Sequence, residues 1–370
     1  MTIALAAIAF SIFSVRLLSP GCSDVQKLRL HGGDILGGFI LRVFSVALVN
    51  LGLFGSASPA LAETPRLVLP LLCEVGRTCF IQNYVDVDPS PAARDYQCGP
   101  LTYDGHNGTD FRVPTLRAQQ AGVPVLAAAD GRVIRSRSNV PDISVRTSGA
   151  AAVRDAECGN GLIIDHGSGW ETQYCHMAQG SLTVEPGDAI MAGQPIGRVG
   201  LSGLTEYPHL HFTVRYKGQV VDPFAYGAPP GSCRQGASLW DHSLGKALTY
   251  QGGAVLNAGF AREPVTMESV EAGDAEQTPD QDAPAIVAFV RAIGLKAGDG
   301  QYLTIRDPSG AVLAENRSES LDRAKAQVLF FTGRKRPVSG WTPGTYQATY
   351  SVSRNGNTVI TFHFDLHLQP

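Results

Sequence analysis

Between residues 101 and 226 short runs rich in β-branched and apolar residues alternate with clusters of turn formers, and this spacing restricts the fold more than any other feature. Residues 123–129 stop at Asp130-Gly131, and residues 161–165 stop at His166-Gly167-Ser168-Gly169. Further turn signals stand at Pro186-Gly187-Asp188 and Gly193-Gln194. Such runs are too brief for stable helices, and turns this frequent fold each strand back beside the last, which predicts an antiparallel sheet or barrel of hairpins. With 41 glycines and 23 prolines, the whole chain reads as turn-dense and mainly β. Residues 135–158 break the pattern with a polar stretch lacking periodicity, which reads as a surface loop.

A length of 370 residues exceeds the usual size of one domain, so two folded units are expected. Hydrophobic residues at 44% and charged residues at 17% exclude a disordered, a collagen-like or a polytopic membrane chain. A net charge of −3 supplies no field to attract nucleic acid, and no nucleic-acid partner is expected. Residues 43–54 form an apolar run behind Arg42 that leads into small residues at Ala60-Leu61-Ala62. Residues 1–62 therefore read as a leader with a signal peptide cleaved after Ala62, and a second apolar run at 2–15 suggests a start set too far upstream. Neither run reaches the roughly 18 apolar residues of a membrane span, so an exported protein with no stable membrane insertion is expected, and its six remaining cysteines make the periplasm the expected compartment.

Cleavage removes Cys22 and leaves Cys73, Cys79, Cys98, Cys158, Cys175 and Cys233, an even set suited to disulfides in an oxidising compartment. Cys73 and Cys79 enclose a short Gly-containing loop, so that bridge is expected first; no Cys-x-x-Cys pair favours a structural metal instead. Residues 63–100, rich in Pro, Cys and Asp, read as an arm packed on something larger. Residues 229–285 read as a connecting segment whose part from 263 to 282 carries Glu268, Glu271, Asp274, Glu276, Asp280 and Asp282, the composition of a solvated linker. Residues 286–370 alternate strongly around Asn355-Gly356-Asn357 and predict a second, smaller β-sandwich-like domain of unknown role.

Histidines give the central segment its chemistry. His106 and Asp110 stand four apart across an Asn-Gly turn, so both side chains can converge on one ion. His209-Leu210-His211 begins a strand, and alternate residues of a strand share a face, so both imidazoles enter one cleft. Residues 172–176 read as the second strand of a hairpin, with Tyr174 and His176 expected on one face and Cys175 on the other. One carboxylate and two imidazoles fill three positions of a tetrahedral zinc and leave the fourth for water, an open arrangement that suits amide hydrolysis. His363, Asp365 and His367 share a strand face too, but a solvated last strand explains them. His166 fits a structural hydrogen bond in its turn, and no Gly-x-Ser-x-Gly elbow supports a serine hydrolase.

His-x-x-x-Asp, Tyr-x-His and His-x-His occur here in the order that resembles the lysostaphin/LytM family of zinc metallopeptidases. The resemblance covers about residues 101–226, within an expected domain of 101–228, and extends to the scaffold stretches at 122–131, 161–167, 184–188, 193–200 and 208–212. It implies a mainly β fold, an antiparallel β-sheet LytM-type catalytic domain, with zinc held by His106, Asp110 and His211 and with His176 and His209 catalytic. It also implies a zinc metalloendopeptidase hydrolysing the peptide cross-links of bacterial peptidoglycan, with peptidoglycan stem peptides and a cell-wall regulator as partners. Two departures stand out: the insertion at 135–158 near the groove, and Thr213 where many relatives carry Glu. The alternative is a noncatalytic LytM-type regulator that activates another cell-wall hydrolase; such relatives lack ligands, whereas all five residues are present here.

Overall fold

A computed structural model of the chain describes residues 64–369. The expected leader, with its cleavage after Ala62, lies outside the described residues. Among the described residues no helix is long and apolar enough to cross a membrane.

Ten strands build the first part: β1 (Phe80–Asn83), β2 (Thr109–Arg112), β3 (Pro124–Leu126), β4 (Gly131–Arg137), β5 (Asn160–Asp165), β6 (Trp170–Met177), β7 (Ala189–Ile190), β8 (Pro195–Arg198), β9 (His209–Tyr216) and β10 (Gln219–Val221). Eight of them form one sheet in the order β1-β2-β9-β6-β5-β4-β7, with β10 also paired to β9, while β3 and β8 pair separately. The pairings are antiparallel, as the turn spacing predicts. The β5–β6 turn shows why those residues are needed: Gly167, Ser168 and Gly169 all take positive φ (80°, 54° and 88°), and the Gly167 N–H donates to Asp165 Oδ1. One face of the sheet buries Phe111, Leu162, Ile164, Tyr174, Leu210 and Phe212 in a core that also takes in Trp240.

The arm from residue 64 is built into this sheet. Leu67, Leu71 and Cys79 lie in the same core, and β1 is the strand beside β2. Cys73 and Cys79 are bridged, as their spacing predicts, and the remaining cysteines pair as Cys98–Cys233 and Cys158–Cys175. The stretch 135–158 differs from a plain surface loop. β4 runs on to Arg137, and the remainder carries a helix at Val145–Ser148 and a 3-10 turn at Ala150–Val153. Only Val133 of β4 is buried, so no two-residue alternation marked the strand in the sequence.

The C-terminal part holds β11 (Ala254–Ala261), β12 (Ala285–Leu295), β13 (Gly300–Arg306), β14 (Val312–Arg317), β15 (Lys325–Lys335), β16 (Gly344–Arg354) and β17 (Asn357–Leu368). They form a β11-β12-β15 sheet and a β14-β13-β16-β17 sheet that share one core, including Phe260, Ile286, Val290, Leu303 and Tyr350. This is the expected sandwich, with the β16–β17 turn at Asn355-Gly356 in left-handed conformation (φ 51° and 79°). It starts earlier than 286, however, because β11 pairs along β12.

The stretch 263–282 also departs from a solvated linker. Helix α1 (Leu116–Ala121) of the first part meets a second helix at Met267–Ala272, which opens on a Thr266/Ser269 capping box. From that helix Glu271 Oε2 accepts hydrogen bonds from Arg112 of β2 and Arg291 of β12, two fully buried guanidiniums. Most of the acidic residues around it do face solvent, which is why composition alone reads as a linker.

Candidate metal centre

Register sets the site. β2 and β9 run antiparallel with Asp110 opposite His211 and Arg112 opposite His209, so the His-x-His pair and the carboxylate meet on one face. His106 follows a turn at Asp104-Gly105, and the Asn107-Gly108 step between it and β2 is a bend, not the expected tight turn. Its Nδ1–H donates to the Tyr84 carbonyl at 2.6 Å, which leaves Nε2 pointing inward. His106 Nε2 lies 3.2 Å from Asp110 Oδ1 and 3.2 Å from His211 Nδ1, and the latter two atoms are 2.9 Å apart. Three N or O donors on a four-coordinate ion with bonds of about 2.0–2.1 Å stand roughly 3.3 Å from one another. The triangle fits that spacing to within a few tenths of an ångström, and His106, Asp110 and His211 together could hold a metal ion.

Two more imidazoles border the same space. His209 Nε2 lies 3.4 Å from Asp110 Oδ1, with its Nδ1–H donated to the Tyr207 carbonyl at 3.0 Å. His176 donates Nδ1–H to the Ser202 carbonyl at 2.8 Å, and its ring centroid is 4.7 Å from that of His209. All five residues expected at the site are therefore brought together.

One detail corrects the strand reading: Tyr174 and His176 do not share a face. Tyr174 points into the core, where its hydroxyl accepts a hydrogen bond from the Ala128 N–H. His176 takes a left-handed φ of 61°, which breaks the alternation after Cys175 and turns its ring toward the cleft. Gln173, Cys175 and His176 consequently all line the same side.

Of the supporting residues, Asn107, Gly108 and Thr213 stood out in the sequence without an assigned contact, whereas Asn83 and Tyr207 were not legible there. Asn83, from the arm, donates to Asp110 Oδ2 at 2.9 Å and to the Tyr207 hydroxyl at 3.3 Å. Tyr207 in turn lies under the Arg112 guanidinium, 4.1 Å from its ring centroid. His211 Nε2–H is taken by Asn107 Oδ1 at 2.9 Å, with Thr213 Oγ1 at 3.1 Å. Gly108 is a steric requirement, since a Cβ there would stand 2.5 Å from His211 Nε2. A lone Asn in an arm, or a Tyr ahead of a strand, carries no local pattern that marks it as a contact across the fold.

Burial and mutual charge set the electrostatics of the ion-free chain. Burial would raise the Asp110 carboxyl, but the His106 and His209 imidazoles overcome it and hold it well below the ordinary range. Burial pushes His176 well down, reinforced by its histidine neighbours, and pushes His211 down against the pull of Asp110. The cleft above these groups has a volume of about 390 Å³ and is bordered by Tyr103, Glu157, Cys158 and Leu204. His166, His363 and His367 behave as expected: His166 Nδ1–H donates to the Asp130 carbonyl at 2.6 Å, and His363 and His367 of β17 contact Thr349 and Thr345 of β16.

Residues 104–223 match the model of Peptidase family M23. The chain is similar to peptidoglycan DD-endopeptidase ShyB of Vibrio cholerae, at 32% identity over 124 residues, 34% of this chain and 24% of that protein. It is also similar to the DD-carboxypeptidase/endopeptidase Mpg of Neisseria meningitidis, at 32% identity over 136 residues, 36% of this chain and 26% of that one. The chain thus spans about a quarter of the length of the curated relatives it matches. Among solved structures, the catalytic domain of lysostaphin from Staphylococcus simulans is 25% identical, with 35% of this chain and 85% of that one covered at a TM-score of 0.25. Residues 104–223 thus form a Peptidase family M23 domain within the chain.

Proposed function

We propose that the protein is an exported zinc endopeptidase that hydrolyses peptide cross-links of bacterial peptidoglycan, with His106, Asp110 and His211 holding the zinc and His176 and His209 acting on the substrate. In this reading residues 101–228 are the catalytic domain, completed by the arm. The observation that carries it is the triangle of donor atoms 2.9–3.2 Å apart, opening on a cleft that two further imidazoles border. When bound, zinc supplies Lewis-acid polarisation of the peptide carbonyl and activation of the attacking water.

The chain's own groups supply the rest. Asn83 occupies Asp110 Oδ2 and leaves Oδ1, the oxygen beside His106 Nε2 and His211 Nδ1, as the one that would face a bound ion. His176 and His209 each commit Nδ1–H to a carbonyl and keep Nε2 free to take a proton. Once protonated, either ring can donate to the developing oxyanion or to the leaving amine. The names of the peptidoglycan DD-endopeptidases that the domain resembles support the substrate class, and three disulfides support an oxidising compartment outside the cytoplasm.

The test is digestion of purified cross-linked peptidoglycan by the full chain, with zinc or with a chelator, reading released fragments by mass. The expected result is chelator-sensitive loss of cross-linked dimers, abolished by Asp110→Ala. Cleavage retained in Asp110→Ala would overturn the metal assignment. No cleavage and no bound zinc, together with stimulation of an added amidase, would establish a noncatalytic regulator instead.

A further inference from the structure

The cleft does not end at the metal centre. Gln173 and Cys158, which border it, also line an adjoining cavity of about 260 Å³ whose opposite wall is formed by Arg135 and Arg137 of β4. Register fixes the distance: Arg135 lies opposite Ile163, Ile163 opposite Gln173, and Gln173 opposite Thr213. Three strand spacings of about 4.8 Å therefore separate Arg135 from β9, roughly 14 Å in all. Gly161, paired with Arg137, lines the same cavity where β5 packs closely on β6. A Cβ there would stand 2.0 Å from the Tyr174 carbonyl oxygen.

A third arginine borders the same floor along β9. Arg215 shares the strand face of His211, four residues on, which places it about 13 Å away. It lines the metal-centre cleft, half-buried, and donates Nη1–H to Gln173 Oε1 at 2.6 Å. Among the described residues Arg135, Arg137 and Arg215 form no ion pair. Glu171 lies directly across from Arg215 and Glu157 borders the cleft, so part of the positive charge is offset without either carboxylate pairing with a guanidinium. Guanidiniums left unpaired beside a cleft present planar forks of donors matched to carboxylate oxygens.

We infer that this arginine-bordered floor is a subsite for a free carboxylate of the substrate. It takes a carboxylate carried about four residues from the bond held at the metal centre, since an extended peptide advances about 3.3 Å per residue. The substrate is thus a peptide that carries a free carboxylate at that distance from the bond. The inference rests on the peptidase reading above and adds the side-chain chemistry that the cleft selects.

The test compares two probes: cross-linked stem-peptide dimers purified from peptidoglycan, and the same dimers with their carboxyls converted to carboxamides. The full chain loaded with zinc should show kcat/KM higher by about 10-fold or more for the free-carboxylate form, the scale of a charge-assisted contact. That preference should shrink with added salt. It should fall toward unity in Arg215→Gln and in the Arg135→Gln/Arg137→Gln pair, with cleavage of the amidated form little changed. The paired substitution is on exposed positions and keeps the test informative if Arg215→Gln folds poorly. Equal cleavage of both probes by the unaltered protein, or a preference that survives in all the variants, would overturn the subsite while leaving the peptidase intact. If neither probe is cleaved, the peptidase reading fails. Calorimetric binding of the same probes then decides the subsite: a carboxylate preference lost in the variants upholds it, and equal binding overturns it.

Discussion

Each imidazole at the metal centre has its tautomer set by one acceptor. Carbonyls of Tyr84, Ser202 and Tyr207 take Nδ1–H of His106, His176 and His209, whereas Asn107 Oδ1 takes Nε2–H of His211, so three rings present Nε2 inward and one presents Nδ1. Away from that centre, one carboxylate makes a separate prediction. Asp222 is buried with Oδ2 unpartnered; burial, with Asp95 nearby and only the Phe224 N–H opposing, pushes it up to about 7. A carboxyl raised in the folded state binds its proton more tightly there than in the unfolded chain, so its contribution is complete below about pH 4 and is lost as pH rises to about 7. Three units at about 1.4 kcal/mol each make about 4 kcal/mol the ceiling. Asp222→Asn should therefore be less pH-sensitive than the unaltered protein between pH 4 and 7 and more stable at pH 8. Denaturant midpoints across that range measure it, and parallel pH profiles would refute it.

Among the elements, β6 matters most, because its alternation fails where the site needs it. His176 at φ 61° is fastened on both sides: its N–H donates to the Cys158 carbonyl at 2.8 Å, and Cys175 before it is bridged to Cys158. The bridge ties the segment that ends the insertion directly to the strand end that carries His176. Replacing Cys158 and Cys175 together with Ser should lower stability by about 3 kcal/mol, from the entropy of reopening a loop of this length. It should also lower kcat/KM, because the unusual backbone at His176 loses one of its two restraints. Thermal unfolding and dimer digestion on the same protein separate the effects, and full activity at reduced stability would show that the bridge does not position His176.

At the scale of the whole molecule, the sandwich and the eight-stranded sheet are joined through a buried charge cluster. Arg112 and Arg291 are fully buried, and Glu271 is the carboxylate they share. Arg112 sits opposite His209 and over the Tyr207 ring, so the cluster lies one residue layer behind the metal centre. Asn257 reinforces the junction by donating to the Pro114 carbonyl at 3.2 Å. Glu271→Gln leaves two buried guanidiniums without a counter-charge and should cost about 3–5 kcal/mol in chemical unfolding. Double substitution of Glu271 and Arg112 should cost less than the sum of the singles, and simple additivity would show that the two are not coupled.

The sequence by itself determined the antiparallel, turn-punctuated sheet, because Gly- and Asp-bearing turns and short β-rich runs are local properties. It also determined the chemical inventory of the candidate site, since the side chains of His-x-x-x-Asp and His-x-His are close in sequence, whereas the register of β2 on β9 decided that they meet. The Cys73–Cys79 bridge was legible for the same reason, being closed within a few residues. Only the tertiary structure decided that Asn83 holds Asp110, that Glu271 joins two arginines, and that Arg135 and Arg137 border the cleft. Those contacts link residues 20 to 159 positions apart, and no periodicity or spacing along the chain encodes a meeting that distant strands bring about. The turn of His176 lies between the two: its strand was legible, but its positive φ is imposed by the carbonyl and disulfide that surround it.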